Sequence, residues 1–307
     1  MDRRTAIKSS AATLGLAALF QAQPGFASSA KGHRGAGAAK IHKAYVEGPF
    51  GQLHYYRSGL GGSDGPPLVL MHQSPLSARQ FEQVLPLLGA AGIDAIAMDM
   101  PGYGMSDVPN EPPSIGDYAK ALGALVEGLG IGPTHILGHH TGAQTATAFA
   151  AAHPELVRSV ILNSPPYFSD EDLVRLANFQ HAPTEYSRDG SHLVAIFQRR
   201  AMYTPGWTDE RVMHRRVVDQ LWAGPEVWYG HHAAFTYDMR PVMASLEVPT
   251  LILTNSGDDI YDLSQVARTA RPDFAYRELE GGTHDIVDEQ PAAWAAAVTD
   301  WVQMQEA

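Results

Sequence analysis

The chain has no cysteine among its 307 residues, which excludes disulfides, thiol nucleophiles and thiolate-bound metals. Basic residues are also scarce: 22 lysines and arginines face 33 aspartates and glutamates, for a formal net charge of −11. A surface of that sign repels phosphate backbones, so no nucleic-acid partner is expected. No apolar run approaches the ~20 residues that a spanning helix needs, so no membrane insertion is expected either. What is present, 45% hydrophobic and 18% charged residues, is an ordinary globular composition with enough chain for one large core.

The first stretch stands apart. "MDRRTAIKSSAATLGLAALFQAQPGFASSAKG" places Arg3, Arg4 and Lys8 before a short apolar run over residues 11–20, then small residues suited to cleavage. It resembles a twin-arginine export signal, which predicts removal of residues 1–30 and a periplasmic or secreted mature chain. A frayed, weakly amphipathic terminus is the alternative.

From residue 40 the chain alternates strand-like and helix-like segments. "KAYVEG" and "QLHYYRSG" read as paired strands around a turn, and "PLVLM", "DAIAMD", "HILGH", "SVILN", "TLILTN" and "AYRELE" follow as mainly apolar strands buried on both faces. Helices are predicted over 77–91, 115–129 (with Ser114 as N-cap), 142–153 and 291–305. Repeated strand–helix–strand alternation predicts a doubly wound, mostly parallel α/β sheet, over 40–165 and 249–305. Residues 166–248 break the pattern as an aromatic-rich helical insertion suited to capping an apolar pocket.

Five motifs then fall in order: "LVLMHQSPLSARQF", "AMDMPGYGMSD", "LGHHTGA", "PTLILTNSGDD" and "GGTHDIVDEQP". Together they resemble the capped α/β-hydrolase fold superfamily over nearly all of residues 40–305. The resemblance implies a histidine base at His284 and a carboxylate at Asp258, with Asp259 as competitor, and it implies no metal and no cofactor. Asp258 is expected to hydrogen-bond the His284 ring and fix its tautomer.

The departure lies at the nucleophile elbow. Gly138 and Gly142 supply the small residues that a strand-to-helix turn requires, yet the central position holds His140 where the superfamily carries serine, cysteine or aspartate. Histidine tolerates positive φ better than most bulky residues, so His140 is sterically credible there. Three readings are open: a nucleophile or water activator in a hydrolase, an acid/base group in a proton-transfer lyase or isomerase, or a packing residue in a binding protein. Thr141 is expected to give one oxyanion N–H and Gln73 or Ser74 the other; Gln73 replaces the usual glycine after His72. Four rings, His72, His139, His140 and His284, raise the question of a metal, but adjacent His139 and His140 are expected to diverge. The expectation is a cofactor-independent hydrolase of a small, partly apolar ester, lactone or activated C–C carbonyl compound, with self-association left open.

Overall fold

The structure, a computed structural model, describes residues 39–59, 65–179, 185–207 and 209–307; the expected export signal lies outside them. One eight-stranded sheet organises the described chain. Its strands are β1 (His42–Gly48), β2 (Gly51–Ser58), β3 (Leu68–Met71), β4 (Ala95–Met98), β5 (Thr134–His139), β6 (Val157–Asn163), β7 (Thr250–Asn255) and β8 (Ala275–Leu279). They lie in the order β1-β2-β4-β3-β5-β6-β7-β8. The β1–β2 hairpin is antiparallel and β2 pairs antiparallel with β4, whereas β4 through β8 are parallel. Every residue of β3, β4, β5 and β7 is buried, which is why their sequences show no polar alternation.

The helices are α1 (Leu85–Ala90), α2 (Ile115–Gly128), α3 (Thr141–Ala152), α4 (Asp170–Ala177), α5 (Ser191–Ala201), α6 (Glu210–Trp222), α7 (Tyr229–Phe235), α8 (Arg240–Ala244), α9 (Tyr261–Ala270), α10 (Ile286–Glu289) and α11 (Pro291–Glu306). Ser114 caps α2 in a capping box with Asp117. The helix predicted over 77–91 is instead a 3₁₀ turn at Ala78–Phe81 followed by α1. Pro86, in the first turn of α1, has no N–H to continue the preceding turn. Between β6 and β7 the described chain forms helices only, α4 to α8.

Two apolar layers cover the sheet. Met71, Ile136 and Phe149 belong to one layer, and Leu70, Leu137 and Trp294 to the other. The Trp294 Nε1–H donates to the Asn163 side-chain oxygen at 2.6 Å, which satisfies its polar end inside the core. Helix α3 packs closely on the sheet: a Cβ on Gly142 would stand 2.2 Å from the Met71 carbonyl oxygen, and one on Gly138 would stand 2.0 Å from the Gly142 oxygen.

Candidate active site

That close packing creates the elbow. Strand β5 must turn into α3 within a single residue, and His140 takes the turn at φ 49°, ψ −109°, outside the regions comfortable for a side-chain-bearing residue. The expected divergence of His139 and His140 does not occur: their rings lie 4.3 Å apart, centroid to centroid. Strand alternation would send them to opposite faces, but the positive φ of His140 abandons that alternation.

His140 reaches Asp258, with Nε2 to Oδ2 at 2.9 Å, and both residues are buried. The expected bond between Asp258 and His284 is therefore replaced. His284 Nδ1 stands 3.7 Å from Asp258 and hydrogen-bonds the neighbouring Asp259. An imidazole is longer than a serine hydroxyl, so at the elbow it takes the buried carboxylate oxygen for itself and leaves His284 to the next aspartate along. The other Asp258 oxygen accepts the Ile260 N–H at 3.1 Å. The two rings, His140 and His284, meet edge to face with centroids 4.3 Å apart, and Tyr203, just beyond α5, covers His284 at 5.4 Å.

Protonation follows from these contacts. Burial would raise the Asp258 carboxyl, but the facing His140 and His284 outweigh it and hold Asp258 well below the usual carboxylate range. An ionised Asp258 accepts the Nε2 proton of His140, so the lone pair of the neutral ring is on Nδ1. For His284 burial alone would lower the pKa; the two facing carboxylates, Asp258 at 3.7 Å and the hydrogen-bonded Asp259, outweigh it and raise it to about 9. At neutral pH His284 is an imidazolium, with Nδ1–H on Asp259 and Nε2–H left over.

His72 stays out of the cluster. Its Nδ1–H donates to the Gln73 carbonyl at 2.9 Å and its Nε2 accepts the Met100 N–H at 3.0 Å, so it staples two loops as a neutral ring, its pKa lowered by burial to about 4. Gln73 is committed as well: its backbone N–H donates to Gln80 Oε1 at 3.1 Å. Of the expected oxyanion donors, Thr141 and Ser74 are the two whose N–H groups have no acceptor among the described residues. Thr141 is the first residue of α3, where an N–H has no helical partner.

Two groups of donor atoms lie within 4.8 Å of one another, His139–His140–Asp258 and Asp258–Asp259–His284. The first does not suit a cation as it stands. Gln80 uses its oxygen on Gln73, so its Nε2–H faces His139 Nδ1, and the neutral ring carries its proton on the buried, unpartnered Nε2. In the second, His284 Nδ1 holds the proton shared with Asp259. Sequence reasoning named His140, Asp258 and His284 but missed Gln80, Arg200 and Asp285 around them. Gln80 lies within "LVLMHQSPLSARQF" and Asp285 beside His284 in "GGTHDIVDEQP", so for these two a position in a motif was a usable signal; Arg200 had none.

With fold and site established, the chain can be placed. A family model described as alpha/beta hydrolase fold matches residues 66–291, and the chain belongs to that family. Its relatives are hydrolases. It is 27% identical over 294 residues to the proline iminopeptidase of Lactobacillus helveticus, covering 85% of this chain and 99% of that protein. It is 24% identical over 247 residues to the 2-(acetamidomethylene)succinate hydrolase of Mesorhizobium japonicum, covering 78% and 88%. Among solved structures, a thermophilic esterase from Thermogutta terrifontis superposes with a TM-score of 0.71 at 19% identity, over 87% of this chain and all of that one. That likeness concerns the fold; function lives in the site.

Proposed function

We propose that the protein is a cofactor-independent hydrolase of a small, partly apolar ester or lactone that works by driving water directly onto the carbonyl. The observation that carries this reading is the pair of touching imidazoles, His140 on Asp258 and His284 on Asp259. His140 Nδ1 takes a proton from water as the oxygen attacks the carbonyl carbon. The N–H groups of Thr141 and Ser74 donate hydrogen bonds to the developing oxyanion. The C–O bond to the leaving group then breaks as His284 Nε2–H gives it a proton. His140 ends protonated and His284 neutral, and one proton passed between the adjacent rings restores the start.

Water activation is favoured over an acyl-imidazole for a steric reason. Asp258 occupies Nε2, and the remaining Nδ1 sits beside the ring's own Cβ, which crowds an acyl group more than a proton. Helices α4 to α8 would form the cap over the substrate. The basic start and small-residue site of the first thirty residues support export of the mature enzyme.

Stopped-flow hydrolysis of an aryl acetate tests the mechanism. Release of the phenol without a pre-steady-state burst, together with a fall on the order of 10²- to 10⁴-fold in His140→Ala, is the expected result. A burst of one equivalent per enzyme would assign His140 a covalent role instead. Activity unchanged in His140→Ala would overturn the reading altogether.

A further inference from the structure

Outside the two imidazoles, a cluster of buried charge among the described residues lies against the histidine loop. Asp285, fully buried and next in sequence to His284, bonds Arg200 of α5 and stands 3.7 Å from Arg216 of α6. Arg216 in turn pairs with Asp288, as does Arg215 at 2.6 Å. Burial alone would raise the Asp285 carboxyl, but Arg216 and Arg200 outweigh it and hold it ionised. Arg216 divides its charge between two carboxylates; Asp285 is the single carboxylate paired with Arg200 among the described residues.

Gln73 approaches the same point from the opposite side. Its Nε2 donates to Asp285 at 3.2 Å and reaches the His284 backbone oxygen at 3.4 Å. The family's motif, as read in the sequence, has glycine at that position, which has no side chain to make either bond. Through its own N–H and Gln80, Gln73 also connects to His139, behind the elbow.

We propose that Arg200 and Gln73 are positioning residues that act through Asp285, so that helix α5 and the loop after β3 jointly set where the His284 imidazole stands. The proposal rests on the hydrolase reading for its effect on turnover, but not for its effect on the ring. His284 is faced by Asp258 and Asp259 from the loop after β7, by His140 from the elbow, by Arg200 and Tyr203 from α5 and the turn beyond it, and by Asp285 along its own loop. Of these, Arg200 is the fixed positive charge; it works against the carboxylates that favour the imidazolium.

The test is an NMR titration of the His284 ring in wild type, Arg200→Gln and Arg200→Lys, read beside kcat and KM for an aryl acetate. Arg200→Gln is expected to raise the His284 midpoint and to lower kcat about 10-fold with KM within about 2-fold, since binding is not what the tie controls. Arg200→Lys, which keeps the charge, should restore the midpoint and most of kcat. A folded Arg200→Gln protein with an unmoved midpoint overturns the proposal. Should that variant not fold, Gln73→Ala removes the other tie without unpairing a buried charge; a shifted His284 resonance with lower kcat supports the proposal, and an unaltered resonance overturns it. Absence of ester turnover in wild type, with the midpoint still moving in Arg200→Gln, would defeat the hydrolase reading and leave the positioning role standing.

Discussion

Asp258 bonds the ring of His140 at 2.9 Å and stands 3.7 Å from His284, so the buried carboxylate serves the elbow and not the histidine loop. The two adjacent aspartates should therefore respond differently to substitution. Asp258→Asn removes the charge that supports protonated His140, and kcat should fall on the order of 10²- to 10³-fold. Asp259, with 40% of its side chain exposed, should matter less, about 10-fold as asparagine, because solvent screens its charge. Steady-state kinetics on both variants check the order; equal losses would mean that the aspartates do not divide the rings between them.

The pH profile carries the signature of His284. Its pKa is raised from 6.5 to about 9, so the acid form needed for leaving-group protonation persists through neutrality and is lost above about 9, where activity should decline. Removing a carboxylate partner lowers that value, so Asp259→Asn should shift the alkaline limb to lower pH. The same shift contributes to stability: the gain is complete below about 6.5 and disappears as pH rises through about 9. Thermal midpoints at pH 6, 8 and 10 read this directly.

Acid should unfold the protein through its buried neutral rings. His72 is held down to about 4 from 6.5, and His139 is also lowered, chiefly by burial. Between those values the unfolded chain binds protons that the native chain refuses, so stability is full above about 6.5 and is lost as pH falls toward about 4. His72 alone accounts for a loss on the order of 3 kcal/mol. Denaturant titrations from pH 7 to pH 4 should show it, and His72→Gln should flatten the dependence.

The elbow tolerates no added atom at Gly142. A methyl group there would meet the Met71 carbonyl oxygen at 2.2 Å, and backbone cannot rotate aside as a side chain can. Gly142→Ala should cost about 3 kcal/mol or more, or prevent folding. Gly92→Ala, at a position with open space around the added atom but positive φ, should cost only about 1 kcal/mol. Equal losses would show that the close approach of α3 to β3 is not what the glycine serves.

Export is checked by mass spectrometry of the protein recovered from a periplasmic fraction. The expected N-terminus lies near residues 27–30, and replacement of Arg3 and Arg4 by lysine should hold the precursor in the cytoplasm. An intact Met1 on the folded, fractionated protein would remove the case for a cleaved signal.

The sheet was legible because parallel strands are buried on both faces, and "PLVLM", "HILGH" and "TLILTN" record that burial as unbroken, mainly apolar runs. The elbow was legible because its glycines answer a local demand, the close passage of a helix over the strand that feeds it. His140, Asp258 and His284 were thus legible in the sequence as one site, and they meet in the structure. Which carboxylate served which ring was not legible, because it depends on how two loops distant in sequence settle against each other. They pack so closely that a Cβ on Gly257 would lie 1.9 Å from the Gly282 oxygen, and the Asn255 amide bonds the Thr283 carbonyl at 3.1 Å. At that separation His284 falls beside Asp259 while His140 takes Asp258 from below. The ties from Arg200 and Gln73 to Asp285 were invisible for the same reason: local propensity fixes turns and strands, but an ion pair between residues 85 positions apart exists only once tertiary packing has brought them together.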